Sequence, residues 1–280
     1  MPCFSKDLLK DKVAVVTGGG TGIGRVIALE MARHGAHVAL AARRREPLEE
    51  VAAEIRGLGR RALVVTADIA DYSQVKALAQ SVVREFGVVD ILVNNAAANF
   101  IRPTETLTWV RWRKVIDIVL NGTFYCTNEF GSIMLDKGWG RVINIVAAYA
   151  WTGAPGLAPS ASAKAGVVAL TQTLGAEWAG RGVLVNAIAP GAINTPQTEQ
   201  RLWPTPQIKS KLLKSIPAGR FGSEMDVANL ALYLSSDMAG YIAGEVIVCD
   251  GGWWLGKGAL DLMDGPITRH PEKSPSSEKV

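Results

Sequence analysis

The sequence predicts a single-domain α/β protein, a doubly wound parallel sheet with helices on both faces. Three observations carry that expectation. Short β-branched runs alternate with longer amphipathic stretches from residue 13 onward, and a glycine cluster follows directly on the first run. A content of 48% hydrophobic against 20% charged residues in 280 supplies one sizeable core and excludes a disordered chain. In order, the strand-like runs are Val13–Thr17, His37–Ala41, Ala62–Ala67, Ile91–Asn94, Val142–Val146, Val183–Ile188 and Val246–Cys249. Helical periodicity fills the gaps, as in Gly22–His34, Pro47–Leu58, Ser73–Phe86 and Ala161–Trp178. Alternation of this kind implies parallel strands joined by right-handed crossovers.

The expected catalytic domain covers residues 1–256, with a polar tail over 257–280 that is expected to be mobile. Within the domain, residues 190–217 stand out. Pro190, Pro196, Pro204, Pro206 and Pro217 interrupt a short helical pattern near Gln207–Leu213, the signature of a lid-like insertion rather than a connector. No run approaches the roughly 18 apolar residues of a membrane span. The opening MPCFSKDLLKDK has no apolar signal core. Cys3, Cys126 and Cys249 are too scattered for a disulfide framework or zinc site, so the expected compartment is the reducing cytoplasm. A net charge of +4, with no basic stripe, suits anionic small molecules and gives no footprint for nucleic acid. No His/Cys/carboxylate cluster has metal spacing. His34, His37 and His270 offer no catalytic base, because two flank the second strand's entry and one lies in the tail.

Val13–Thr17 runs into Gly18, Gly19, Gly20, Thr21, Gly22, Ile23 and Gly24 and then a helix. Such a turn lets backbone approach a pyrophosphate, whose charge meets free amides at the helix N-terminus, so the arrangement is Rossmann-type. The G-x-x-x-G-x-G spacing combines with Asp68 and Ile69 after the third strand and Asn94-Asn95-Ala96-Ala97 after the fourth. Pro190, Gly191, Ala192 and Ile193 follow the sixth strand, and Asp250-Gly251-Gly252 lie near the end. In combination these motifs resemble the short-chain dehydrogenase/reductase family over about residues 10–255. The second strand ends in Ala42-Arg43-Arg44-Arg45, with no carboxylate before Glu46. An acid there would bond a ribose diol, whereas Arg43 pairs with a 2′-phosphate, so the expected cofactor is NADP(H).

The catalytic end departs from the usual family pattern of Ser, Tyr and Lys. Lys164 is the natural lysine, but four residues before it stands Ser160 rather than Tyr, and thirteen before that stands Ala147 rather than Ser. A serine hydroxyl is too short and too weakly acidic to replace a phenol. Tyr149 lies two residues beyond Ala147; side chains displaced by two at a strand's end share a side, which directs Tyr149 toward the vacated pocket. The strings 95–101, 117–123 and 159–167 are similar to the NADPH-dependent 2,4-dienoyl-CoA reductase branch, where the tyrosine occupies this displaced position and Ser-x-x-x-Lys is typical.

The resemblance implies an acyl-CoA substrate from unsaturated fatty acid degradation. It implies that Tyr149 and Asn99 stabilise charge on the thioester oxygen, that Lys164 binds the nicotinamide ribose and that its charge favours electron density on Tyr149. Ser160 is implied to hold a water that protonates the α-carbon, and Asn121 to kink a helix. Phe100 and Thr108 match acyl-CoA contact positions, and Arg201 one that reaches CoA phosphate; their structural alternatives are core, helix cap and solvated lid. Trp151 stands where animal members of the branch carry an acid. Trp109, Trp112, Trp139, Trp203, Trp253 and Trp254 suit an acyl pocket, core or subunit interface. The family resemblance implies a homotetramer, which the apolar string 165–170 suits. Reduction of 2-enoyl-CoA or of a carbonyl, and a catalytically silent scaffold, are the competing readings.

Overall fold

The computed structural model describes residues 4–203 and 205–255, without the side chains of Gln197, Gln200 and Arg201. The expected tail at 257–280, with His270, and Cys3 therefore lie outside the described residues. Strands β1 (Val13–Thr17), β2 (His37–Ala42) and β3 (Ala62–Thr66) alternate with helices α1 (Gly22–Arg33) and α2 (Glu46–Gly57). Helix α3 (Tyr72–Phe86) leads to β4 (Ile91–Asn94), then α4 (Trp109–Ile116) and α5 (Gly122–Lys137). Strand β5 (Gly140–Ile145) is followed by α6 (Tyr149–Thr152) and α7 (Ala158–Trp178). Strand β6 (Val183–Pro190), α8 (Pro196–Arg201), α9 (Pro206–Lys214), α10 (Glu224–Ser235) and β7 (Val246–Cys249) complete the domain.

Among the described residues, all seven strands are parallel, in the order β3-β2-β1-β4-β5-β6-β7. Strand order reverses between β1 and β4, which opens a crevice at their C-terminal ends, the usual ligand position of such sheets. The two faces carry separate cores. One packs Ile27, Met31, Leu48, Ile55 and Leu232 against the sheet, and the other Leu78, Val82, Phe130 and Met134. Burial on both faces explains why β1, β2 and β4 read as near-continuous apolar runs rather than alternating ones.

Element ends differ from expectation for identifiable reasons. Helix α7 starts at Ala158 because Pro159 sits in its first turn, where a missing N–H costs nothing. Strand β6 runs on to Pro190, which pairs with Cys249 and accepts from the Ala148 amide through its carbonyl (3.0 Å). The proline-rich insertion holds two helices, capped by Thr195 and Thr205, each with a proline in its first turn. Asn121 closes a π-helical turn, Asp117–Asn121, between α4 and α5, and its amide donates to Asp117 (2.9 Å). That wide turn is the distortion expected of Asn121, and such turns recur near functional sites.

Candidate active site

The glycine turn after β1 is built for close approach. Gly18 has φ +66° and donates its amide to Ala41 (2.7 Å). A Cβ on Gly19 would meet the Leu40 side chain at 2.7 Å, and one on Gly24 would meet the Gly18 carbonyl at 2.4 Å. Thr21 is the extended N-cap of α1 and makes no side-chain cap, so its first-turn amides, at Gly22 and Ile23, are left to a ligand or solvent. Asn95 is committed to positioning: its side-chain amide donates to the carbonyls of Thr17 (3.0 Å) and Gly18 (3.2 Å). Thr17, which sequence reasoning did not single out, accepts from the Asn95 and Ala96 amides (both 3.1 Å) and donates to Val93 (3.3 Å). A threonine closing a strand just before glycines is the signal that would have found it.

The other cofactor candidates share this C-terminal edge. Arg43 is exposed just beyond β2 and, among the described residues, makes no ion pair, while Arg45 is taken by Glu49 (2.6 Å). Asp68 accepts from the Ala70 amide (3.1 Å), and Ile69 is buried against Gly122, where a Cβ would lie 2.8 Å away. After β6, the Gly191 amide donates to Cys249 (3.0 Å), and a Cβ there would press Asp250 at 2.4 Å. Ala192 and Ile193 are buried, and Ile193 bridges Gly222. Glycine cradle, free helix amides and an exposed cation beyond β2 together fit a dinucleotide.

Tyr149, Ser160 and Asn99 converge from three segments. The Tyr149 hydroxyl lies 3.1 Å from Ser160 Oγ and 3.5 Å from Asn99 Nδ2. Tyr149 arrives by a different route from the one expected. Strand β5 stops at Ile145, so strand alternation does not place it; the one-turn helix α6 does. Asn99 lies on the loop after β4, which docks through the Arg102 amide on the Gly156 carbonyl (2.9 Å). Ser160, 2% exposed, and Lys164, 6% exposed, lie four apart and so on one face of α7. Lys164 Nζ donates to the Ile145 carbonyl, and burial pulls its ammonium down to about 8.

Burial pushes the Tyr149 phenol above its ordinary value, and the Ser160 hydrogen bond only partly opposes this. Desolvation outweighs that bond and favours the protonated phenol.

The expected substrate contacts divide. Phe100 packs on the cluster of Val115, Ile118, Val119 and Ala163, with the Arg111 guanidinium 5.8 Å from its ring. Thr108 caps α4 by accepting from the Arg111 amide (3.4 Å). Both positions correspond to the structural alternatives. Arg201 ends α8, and its side chain lies outside the described residues. In the proline-rich insertion, Trp203 is buried with Ala192 and Ile216, with Phe221 and Trp253 against them. Trp151 and Trp254 stack (5.6 Å between centroids), a pair no sequence spacing announces.

A family profile described as enoyl-(acyl carrier protein) reductase matches residues 18–254. A "probable 2,4-dienoyl-CoA reductase ((2E)-enoyl-CoA-producing)" of Bacillus subtilis is 40% identical over 249 residues, 88% of this chain and 98% of its own. A "probable 2,4-dienoyl-CoA reductase 3 ((3E)-enoyl-CoA-producing)" of Caenorhabditis elegans is 43% identical over 256 residues, 90% of this chain and 83% of its own. The 3-oxoacyl-(acyl-carrier-protein) reductase FabG of Staphylococcus aureus is 38% identical over 245 residues, 87% of this chain and 98% of its own. Among solved structures, a candidate NAD(P)-dependent gluconate 5-dehydrogenase of Beutenbergia cavernae, with NADP bound at low occupancy, superposes with a TM-score of 0.85. It is 39% identical and covers 90% of this chain and 100% of its own.

Proposed function

The chain belongs to the short-chain dehydrogenase/reductase family, and we propose that within it the protein is an NADPH-dependent 2,4-dienoyl-CoA reductase of unsaturated fatty acid degradation. One observation carries this reading: a phenol, an amide and a serine hydroxyl meet within 3.5 Å although the family's usual Ser and Tyr positions hold Ala147 and Ser160. NADPH, when bound, supplies a hydride to the far end (C5) of the conjugated thioester. Electrons then move through the diene to the thioester oxygen, and the protein's task is to hold that charge. The Tyr149 O–H and the Asn99 N–H are both donors and both close enough to reach one acceptor oxygen. Ser160, hydrogen-bonded to Tyr149, holds a water that returns a proton to C2, leaving a 3-enoyl product. Lys164, charged at neutral pH, holds the nicotinamide ribose, and Arg43 the 2′-phosphate.

The names of the Bacillus and nematode relatives support the thioester and differ in the product double bond. The Staphylococcus relative supports a second reading, in which a protonated Tyr149 acts as acid toward a carbonyl. Phe100, Thr108 and Arg201 are kept as candidate acyl-CoA contacts. The exposed Trp109, Val110 and Phe124 on α4 and α5 suit burial in a homotetramer.

NADPH oxidation against a panel of dienoyl-CoA, enoyl-CoA, 3-oxoacyl and ketone substrates tests the reading. Dienoyl-CoA is expected to give the highest kcat/KM. Turnover of ketones or 3-oxoacyl thioesters with none of dienoyl-CoA would overturn it.

A further inference from the structure

We propose that Trp254 is a positioning residue for Tyr149, acting through Trp151; the proposal rests on the reading of Tyr149 as the working hydroxyl. Helix α6 is four residues long, has no side-chain cap and ends at Gly153, φ +67°. Tyr149 and Ala150 are half-buried, Trp151 and Thr152 are exposed, and the Gly153 amide donating to the Tyr149 carbonyl (3.0 Å) closes the turn. A single turn fixes several dihedrals for one hydrogen bond and is unfavourable alone, so contacts outside α6 must set its place.

Ala150 packs on the cluster of Val146, Val167 and Val168, and the two aromatic contacts lie on opposite sides of the turn. Residues two apart on a helix are separated by about 200°, so Tyr149 and Trp151 leave α6 in opposing directions. Tyr149 points inward to Ser160 and Asn99, and Trp151 outward to Trp254, the rings 5.6 Å apart and inclined by 30°. Trp151 remains 43% exposed, so it is not a core residue. Among the described residues, its one ring partner is Trp254.

Trp254 is itself anchored. Its amide and that of Gly252 donate to the two oxygens of Asp250 (both 2.8 Å). Asp250 in turn presses on Gly191, at the end of β6. Its neighbour Trp253 donates from Nε1 to Ser215 Oγ (3.0 Å), just beyond α9, and packs on the lid cluster around Trp203. One turn therefore grips the lid with one indole and the tyrosine's helix with the next. Tyr149 is held from behind by a segment that also contacts the 190–217 insertion through Trp253.

The test compares Trp254→Ala, Trp151→Ala, the double variant and Trp254→Phe. Three readouts are used: the far-ultraviolet circular dichroism couplet of the stacked indoles, hydrogen exchange over 147–153, and kcat alongside NADPH affinity. Trp254→Ala is expected to abolish the couplet, speed exchange in that peptide and lower kcat by roughly two- to tenfold, the range an aromatic pair supplies. NADPH affinity should be unchanged, Trp151→Ala should add nothing in the double variant, and Trp254→Phe should restore most of kcat. Loss of the couplet with parental exchange and kcat would overturn the proposal. So would a kcat loss with a general fall in stability that Trp254→Phe does not relieve. If the parent enzyme prefers another substrate, the dienoyl reading fails; the same kcat ratios are then taken on the substrate turned over, and the exchange readout needs none.

Discussion

Replacing Tyr149 by Phe removes one oxygen and leaves the ring, so its consequences follow from the atoms around that oxygen. Within the fold, the change deletes the 3.1 Å hydrogen bond to Ser160 and the long 3.5 Å contact from Asn99. Ser160 is 2% exposed and loses a partner, which costs about 0.5–1.5 kcal/mol. Burial already disfavours ionisation of the phenol, so no charge interaction is lost with it. The folded state therefore survives with a small drop in Tm. Turnover behaves differently. One of two donors aimed at the developing oxyanion disappears, a loss that typically costs about 10²–10³ in kcat. Asn99 remains, which is why the residual rate should stay above background. Ser160→Ala leaves both donors in place and removes only a hydroxyl that solvent can partly replace, so its effect should be milder. The assay is single-substrate NADPH oxidation at saturation, with NADPH affinity from fluorescence titration and Tm from thermal scanning. Parental turnover in Tyr149→Phe, or Ser160→Ala the more damaging of the two, would refute this assignment.

Four further outcomes are expected. Arg43→Asp should weaken NADPH binding by about 1.5–3 kcal/mol and move preference toward NADH; unchanged NADPH affinity by titration would make Arg43 a surface charge only. Lys164 sits at about 8 against an ordinary 10.5, so the unfolded chain binds more protons between those values and stability rises with pH through that window. Loss of the ammonium above about 8 should conversely lower kcat/KM for NADPH, and a profile flat across that pH would contradict its role. Asn144→Ala breaks a fully buried ladder, in which Asn144 accepts from Asn94 and donates to Thr171 (both 2.9 Å). Its cost should be about 2–4 kcal/mol in denaturant unfolding, at an unchanged m-value.

Much of the fold was legible because its signals are local. The β1 strand, the glycine turn and the start of α1 are fixed by residues within twelve positions of each other. The crevice could be anticipated because every strand-end motif lands on one edge of a parallel sheet. The site was legible only in part. Tyr149 lies beside Ser160 and Asn99, but strand alternation does not bring it there, since a one-turn helix stabilised by distant contacts leaves no periodicity to read. The sign of the shift on Tyr149 depends on enclosure by three separate segments, which spacing does not encode. Trp151 and Trp254 lie about a hundred residues apart, and nothing in either neighbourhood announces the stack. Thr108 shows the reverse case: its cap role follows from the residues after it, whereas an acyl contact rests on resemblance.

The central claim is hydride addition to the far end of a dienoyl thioester with charge held by Tyr149 and Asn99. It is tested most directly by turnover of a 2,4-dienoyl-CoA with NADPH carrying deuterium at the transferred position, and nuclear magnetic resonance of the product. The expected product carries deuterium at C5, a C3–C4 double bond and a solvent-derived proton at C2. Deuterium at C3, or consumption of NADPH only with a ketone or 3-oxoacyl thioester, would contradict the account.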